Sequence, residues 1–213
     1  MRGILFKPDI VRAIVQGRKT QTRRLSGLDE VNSDASAWKL LQWERLYTED
    51  FSRGAVLLEG KNGFQIVCKP RFRVGKVAYV QEVWRPASEK EVRIEYKSDG
   101  AVVEYPEKPS FYFYGCGDRW RSPRFMPAWA ARTFIRIEAV RPERLQEITE
   151  ADAVAEGIIW SWSETAPGSN KYEPCATENF PRLWDSINPK HPWAGNWWVW
   201  VYTFEKVVKP CVS

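Results

Sequence analysis

Histidine and closely spaced cysteine are scarce in this 213-residue sequence. The sequence contains one histidine, His191, and four cysteines, none of them in a CxxC pair: Cys68, Cys116, Cys175 and Cys211. Zinc sites are built from several His and Cys ligands at short spacing. We therefore expect no metal and no cofactor, and we interpret the cysteines as reduced structural thiols of a cytoplasmic protein.

Long apolar runs are missing as well. No N-terminal stretch resembles a signal peptide, and no run of about 18 or more apolar residues is long enough to span a bilayer. The sequence therefore predicts an intracellular protein with no membrane partner. The length suffices for one sizeable core, so we expect a single domain over 1–213.

Aromatic residues, in contrast, are abundant, with 12 Trp, 8 Tyr and 10 Phe. Aromatic side chains bury large areas in cores, and they also stack on nucleic-acid bases. Lys and Arg number 32 against 27 Asp and Glu, which gives a net charge of +5. An excess of this size permits a polyanionic partner without demanding one.

Cations are densest in the basic motif, Gly17–Arg24, which reads GRKTQTRR. It follows a predicted amphipathic helix over 8–16, whose dipole favours Arg18 and Lys19 at its C-terminal end. Two interpretations are open: a solvated basic loop, since charge runs are usually solvated, or a loop that faces an anion or nucleotide. The dipole leaves three polar residues unexplained: Thr22, Arg23 and Arg24.

Periodicity predicts more strands than helices. Strands are expected over 1–7, 64–69, 77–84, 92–96, 110–114, 131–140 and 197–207. Helices are expected over 8–16, 37–46, 150–156 and 179–187, with a loop over 160–177. This pattern indicates an α+β protein, a small mixed β-barrel with peripheral short helices. Two insertions, about 26–63 and 86–124, decorate it.

The helix predicted over 150–156 carries a carboxylate at an unfavourable place. Thr149 and Asp152 form a capping box at its start, and Gly157 suits the left-handed residue after its end. Glu156 therefore lies at the negative end of the helix dipole. We expect a nearby Lys or Arg to compensate.

Two further stretches have alternative interpretations. Glu82 lies in a predicted strand, where it is either on the solvated face or paired with a cation, including one from the basic motif. The run Arg119–Pro127 mixes Arg with aromatics, a composition that stacks on bases and contacts phosphates. The alternative there is a proline-braced loop in which Trp120 and Phe125 plug the edge of the core.

With Gly17, Lys19, Thr22 and Arg24 in place, the motif resembles G-x-K-x-x-E-x-R of the ASCH family in the PUA-like superfamily, with Thr for Glu. A bacterial branch with this Thr removes the acetyl group from N4-acetylcytidine. The resemblance implies a PUA-like mixed β-barrel and a catalytic Lys19, Thr22 and Glu156. The chain is also similar to prophage-encoded ASCH-like proteins of unassigned function. The resemblance covers about 2–25, 70–84 and 125–207, without the insertions.

Amide hydrolysis needs a nucleophile, a base and a group that balances charge. Thr22 offers a hydroxyl, and Lys19 accepts its proton only if burial or nearby cations lower the lysine pKa. Glu156 either orients the lysine or a water, or holds Lys19 charged in an ion pair. A charged Lys19 binds an oxyanion or phosphate instead. Lys19 and Thr22 share a side only in a helix-like turn, since in a strand they face apart.

Three hypotheses of function follow. The first is an amidohydrolase acting on a modified pyrimidine nucleoside such as N4-acetylcytidine. The alternative is a non-catalytic RNA- or DNA-binding module of a prophage, and a third is an interaction protein whose Trp-rich last strand is simply core. The residues expected to bind substrate or nucleic acid are Arg18, Arg23, Arg24, Tyr79, Glu82, Arg119, Trp120 and Arg121.

Overall fold

The computed structural model describes residues 1–41, 55–87, 92–105, 119–158, 161–164 and 172–210, with the backbone alone for 161–164 and 172–175. The described chain is α+β: thirteen mostly short strands and three short helices. The helices are α1 (Pro8–Val15), α2 (Glu150–Ala155) and α3 (Phe180–Ile187). The first seven strands are β1 (Arg2–Leu5), β2 (Gln21–Arg24), β3 (Trp38–Leu40), β4 (Val56–Gly60), β5 (Gln65–Cys68), β6 (Val77–Gln81) and β7 (Trp84–Pro86). The others are β8 (Arg93–Tyr96), β9 (Val102–Glu104), β10 (Phe134–Arg144), β11 (Ser161–Glu164), β12 (Tyr172–Cys175) and β13 (Trp198–Val207).

The first of two compact units comprises Met1–Arg18, Val77–Arg136 and Glu205–Ser213. Here β6 pairs in parallel with β1 and antiparallel with the start of β10, and β7, β8 and β9 form a separate antiparallel sheet. The core of this unit is built from buried apolar side chains that include Trp84, Ile94, Tyr96, Met126 and Phe134.

The second unit comprises Lys19–Lys76 and Ile137–Phe204. Strand β13 lies between β10 and β2, while β3–β4–β5 and β11–β12 form two further small sheets. Trp198, Trp200 and Tyr202 of β13 are buried, and so are Val199 and Val201 on its other face. Strand β13 is therefore a central strand with apolar residues on both faces, and these Trp side chains are core.

Both predicted helix ends near the basic motif and near Glu156 are confirmed. Helix α1 starts at Pro8, and Gly17, which follows its C-cap, has φ +74°. Helix α2 has the capping box of Thr149 and Asp152, and Gly157 has φ +86°. A left-handed residue after the C-cap costs glycine little, which is why both helices end where the sequence predicts.

Three predictions of local structure are wrong. The expected helix over 37–46 begins instead with β3, which pairs with β4, while 42–50 lie outside the described residues. The loop expected over 160–177 contains the paired strands β11 and β12. The strand expected over 77–84 stops at Gln81, and β7 starts only at Trp84.

The insertion hairpin also differs from its prediction. Strand β8 pairs with β9, Val102–Glu104, through a turn at Gly100. The backbone N–H of Tyr96 donates to the Ala101 carbonyl at 3.0 Å, and this bond closes the turn. The predicted partner strand, 110–114, lies outside the described residues.

The α+β class is thus confirmed, whereas the β-barrel stays a prediction. In the described part of the chain, the strand pairings do not close a sheet into a barrel. The single domain over 1–213 stays a prediction too.

We predict that Asn32→Ala lowers the free energy of unfolding by about 2–4 kcal/mol, because it removes the hydrogen-bond partner of the buried backbone N–H and carbonyl of Trp198. The Asn32 amide donates to the Trp198 carbonyl at 2.9 Å and accepts from the Trp198 N–H at 2.8 Å, so it acts as a substitute strand partner. Urea denaturation followed by Trp fluorescence measures the loss. The neighbouring exposed Ser33→Ala is the control, expected within about 0.5 kcal/mol of wild type; an equal effect of both changes would contradict this role.

Candidate functional site

The backbone of the basic motif is fixed at the C-terminal end of α2. The Thr20 N–H donates to the Ala155 carbonyl at 2.8 Å, and the Thr20 carbonyl accepts from the Phe204 N–H of β13 at 2.8 Å. These two bonds hold the residues just before β2 beside the last turn of α2. Lys19 is thereby brought to the carboxylate that follows the helix.

Lys19 and Glu156 form a buried ion pair. The Lys19 Nζ donates to Glu156 Oε2 at 2.5 Å and to the Glu156 backbone carbonyl at 2.8 Å. Their side chains are 2% and 6% exposed. Since Glu156 is the C-cap of α2, the ammonium also neutralises the negative end of the helix dipole. The cation expected beside Glu156 is therefore found, and Lys19 is one of two.

Arg23 is the second cation beside Glu156. Its Nη1 donates to Glu156 Oε1 at 3.3 Å, so the two cations take one oxygen each of the same carboxylate. Its Nη2 donates to Glu143 Oε1 at 2.7 Å and lies 3.2 Å from Asp152 Oδ2. Arg23 thus joins Glu156 to two further carboxylates.

Arg141 closes this network on the more exposed side. It contacts Glu143 at 2.9 Å and Asp152 at 3.1 Å, and its side chain is 41% exposed. The resulting set, which we call the charge network, contains three cations and three carboxylates: Lys19, Arg23, Arg141, Glu143, Asp152 and Glu156. Because the charges of these six residues balance, they can be buried together.

The surroundings change the protonation of two members of this network, Lys19 and Asp152. Burial lowers the pKa of Lys19, the Glu156 carboxylate opposes this shift, and the charges of Arg24 and Arg23 add to it. Burial alone disfavours the ionised form of Asp152, but a hydrogen bond from Gln21 and the charge of Arg23 lower its pKa to about 2. Asp152 is therefore a fixed anion, whereas Lys19 is shifted toward neutrality.

Thr22 and Arg24 follow a different geometry from Arg23. Both lie in the extended strand β2, where alternate side chains point to opposite faces, so Thr22 faces away from Arg23. Thr22 pairs with Tyr202 and is 4% exposed, whereas Arg24 is half-buried. Burial lowers the pKa of Arg24, and the charge of Glu156 acts in the opposite direction.

The interpretation of the basic motif as a solvated loop is wrong for most of its residues. Lys19 and Arg23 are buried and paired because β2 is an ordered strand beside α2. Arg18 alone among the four cations is fully exposed, and its guanidinium bonds to the Gln16 side chain at 2.6 Å. The partners Glu143 and Asp152 were missed, although Glu143 stands in the long strand β10 and Asp152 in the capping box.

Glu82 and Tyr79 belong to the first unit. Glu82 is fully buried, and Arg132 donates to both of its carboxylate oxygens at 2.9 Å. Ser98 Oγ donates to Glu82 at 2.7 Å, and Asp99 contacts Arg132 at 2.9 Å. The expected pairing with a cation is confirmed, but that cation is Arg132 and not one of the basic motif. Tyr79 is half-buried in β6.

A cation-rich surface lies around Trp120, which is 37% exposed. The N–H of Arg121 donates to the Trp84 carbonyl at 2.7 Å, which fixes the segment to β7. The guanidinium carbon of Arg85 lies 4.6 Å and the Lys97 Nζ 5.8 Å from the centre of the Trp120 ring. Phe125 is 75% exposed, so the expectation that it plugs the core is wrong. We call this set the Trp120 surface: Arg85, Lys97, Arg119, Trp120, Arg121, Arg124 and Phe125.

Metal ligands do not cluster in the described part of the chain. Among the described residues, no group of three or more His, Cys, Asp or Glu side chains is arranged to hold a metal ion. Cys68 is a buried free thiol, and burial raises its pKa to about 11. The other three cysteines lie outside the described side chains. No helix among the described residues has the length and apolar character needed to cross a membrane.

Comparison of the chain with protein-family models, curated proteins and solved structures found no match. The relation to the ASCH family therefore rests on the motif and stays a prediction. What the molecule itself provides is a buried Lys–Glu–Arg arrangement in one unit and an exposed cation–aromatic surface in the other.

We predict that Glu82→Gln lowers the free energy of unfolding by about 3 kcal/mol, because it leaves the charge of Arg132 inside the first unit with one carboxylate fewer. Glu104→Gln is the matched control, since Glu104 pairs with Arg93 at 3.5 Å on the surface and its side chain is 52% exposed. That change is expected to alter stability by less than about 1 kcal/mol. Equal losses for the two variants in chemical denaturation would show that the Glu82 pair is not structural.

Proposed function

We propose that this chain is an ASCH-like amidohydrolase that removes an acyl group from the exocyclic amide of a modified pyrimidine nucleoside such as N4-acetylcytidine. The observation that carries the proposal is the buried contact of Lys19 with Glu156. These two residues are far apart in sequence, and the resemblance to the ASCH family implies that both are catalytic. We further propose that the α+β fold is a PUA-like mixed β-barrel with insertions at about 26–63 and 86–124.

The electrostatics of Lys19 support a role as proton acceptor. An ordinary lysine is protonated near neutral pH, and a lysine base needs a lowered pKa. Burial and the charges of Arg24 and Arg23 act in that direction, against the single carboxylate of Glu156. Glu156 fixes the position of the amine through two hydrogen bonds, so that its lone pair is presented in one direction when it is neutral.

The proposed reaction consumes one water and yields cytidine and acetate. A hydroxyl oxygen attacks the acetyl carbon while neutral Lys19 takes its proton. The C–N4 bond then breaks, and Lys19 returns the proton to N4 as cytidine leaves. When the attacking hydroxyl is that of Thr22, the substrate carbonyl must reach both Lys19 and Thr22 although β2 is extended; an acetyl ester then forms on Oγ1, and water hydrolyses it in a second step. The half-buried Arg24 lies on the same face of β2 as Thr22, where its charge favours the oxyanion of the tetrahedral intermediate.

We predict that Lys19→Met and Glu156→Gln each lower kcat/KM for release of cytidine from N4-acetylcytidine by about 100-fold or more, since general-base catalysis contributes about that much. Both replacements are close in size to the native side chain, which limits changes in packing. Chromatography of the purified protein with substrate measures cytidine and acetate. Lys39→Met is the matched control, because Lys39 of the second unit pairs with Glu59 and its side chain is 70% exposed, and it is expected to match wild type.

Thr22 is tested separately because of its position on β2. Thr22→Val keeps the shape and removes the hydroxyl, while Thr22→Ser keeps the hydroxyl. A nucleophilic Thr22 predicts loss of activity in Thr22→Val and retention in Thr22→Ser; equal activity of both would assign the attack to water. Absence of cytidine release by the wild-type protein would rule out this substrate.

A second candidate function is favoured by the Trp120 surface: non-catalytic binding of single-stranded RNA or DNA. This surface contains five cations, Arg85, Lys97, Arg119, Arg121 and Arg124, and Arg85 contacts the acid Glu95 at 2.6 Å. Exposed aromatic rings among cations are the composition with which proteins stack bases and contact phosphates. Here the charges of the basic motif contribute little, because Lys19 and Arg23 are internally paired.

For this candidate we predict that Phe125→Ala weakens binding of a fluorescent oligouridine by about 5- to 150-fold, since stacking of a base on an aromatic ring contributes about 1–3 kcal/mol. Phe64→Ala is the matched control, because Phe64 is an aromatic residue of the second unit with 61% exposure. Binding through phosphates also predicts a steep loss of affinity with salt, and Arg124→Gln is expected to reduce that slope by about 0.7. A salt-independent affinity, or equal effects of both Phe changes, would reject this surface.

A further inference from the structure

Arg23 is not one of the three residues that the motif nominates for catalysis, yet it is the most completely enclosed member of the charge network. Its side chain is 1% exposed, and its guanidinium carbon lies 5.7 Å from the centre of the Phe180 ring. A buried arginine remains charged, because its guanidinium is not deprotonated in proteins. Its charge must therefore be matched by fixed acceptors around it.

The acceptors of Arg23 lie on two sides. Its Nη1 donates to Gln21 Oε1 at 2.8 Å and to Glu156 Oε1 at 3.3 Å. Its Nη2 reaches Glu143 and Asp152 at 2.7 and 3.2 Å. The planar guanidinium therefore spans from the carboxylate that Lys19 uses to the carboxylates that Arg141 holds. A lysine ammonium, a compact charge without this fork, does not span both sides.

The two oxygens of Glu156 are divided between two cations, Oε2 to Lys19 and Oε1 to Arg23. Such a division fixes the rotation of the carboxylate about its terminal torsion, which is otherwise broad. It also means that Lys19 does not receive the whole negative charge of Glu156. We infer that Arg23 is a positioning residue that orients Glu156 against Lys19 and keeps part of its charge from the amine.

The catalytic consequence of this role rests on the proposed function, but its electrostatic consequence does not. Among the described residues, the charged groups that act on Lys19 include Glu156, Arg24 and Arg23. Replacing Arg23 by a neutral residue removes a nearby positive charge, and it also leaves the Glu156 carboxylate to Lys19 alone. Both effects favour the protonated amine. The pKa of Lys19 therefore rises. For a reaction that needs neutral Lys19, the rising limb of the pH–rate profile moves to higher pH.

The test is an NMR titration of the Lys19 side chain in the full-length protein, assigned by comparison with Lys19→Met. We expect Arg23→Gln to raise the Lys19 midpoint by about one pH unit or more, within the range that nearby charges produce. Arg18→Gln removes an exposed cation of the same motif and is expected to leave the midpoint unchanged. A folded Arg23→Gln protein with the wild-type midpoint would overturn the inference.

A charge-balanced variant covers the case in which Arg23→Gln does not fold. The double change Arg23→Gln and Glu143→Gln removes one cation and one carboxylate, so that two of each remain in the charge network. We expect the same upward shift of the Lys19 midpoint, whereas an unchanged midpoint again overturns the inference. Arg23→Lys keeps the charge near Glu156, so its shift is expected to be smaller than that of Arg23→Gln.

The activity measurement separates this inference from the proposed function. With an active wild-type enzyme, Arg23→Gln is expected to move the pH–rate profile upward by the same amount as the NMR midpoint. An inactive wild-type protein whose Lys19 midpoint still shifts in Arg23→Gln would refute the amidohydrolase and support the positioning role. An active enzyme in which Arg23→Gln changes neither the Lys19 midpoint nor the pH–rate profile would support the amidohydrolase and refute the positioning role.

Discussion

The second unit depends on one carboxylate at an unfavourable place, Glu156 at the C-terminal end of α2. A buried carboxylate without a partner is too costly to keep ionised, and the helix dipole adds to the cost. Lys19 and Arg23 offset it, and they do so only because Gly157 ends the helix there and Thr20 ties β2 to that end. The presence of a polar strand inside this unit follows from that requirement.

This arrangement determines what the basic motif does. A cluster of cations in sequence is normally taken as an anion-binding surface, but Lys19 and Arg23 already have carboxylate partners. Their contribution to a phosphate-binding surface is therefore small. The motif is better described as the buried part of the charge network, in which cations and carboxylates balance. The excess positive charge that faces solvent includes the Trp120 surface, where Arg119 and Arg124 are exposed. Chemistry and nucleic-acid binding, if both occur, thus use different parts of the chain.

Local signals made part of this structure predictable. The ends of α1 and α2 follow from Gly17, Gly157 and the Thr149 capping box, which act within a few residues. The need of Glu156 for a nearby cation was also predictable, because it follows from the position of Glu156 at the C-terminal end of a helix. The identity of the partner of Glu82 was not, because Arg132 is fifty residues away and nothing in either local sequence specifies the other. Strand β3 is not predictable from its local sequence for the same reason, because its partner β4 follows only after residues 41–55.

The described residues include two buried ion clusters that differ in one chemical respect. In the first unit, Glu82 is saturated by Arg132 and Ser98, and an arginine has no neutral form to offer at ordinary pH. In the second unit, the corresponding cation beside Glu156 is Lys19, which has a neutral form and is pushed toward it by burial. At that position lysine differs from arginine in one property that matters for chemistry, the ability to lose a proton. This difference is why we propose chemistry for Lys19 and a structural role for Arg132.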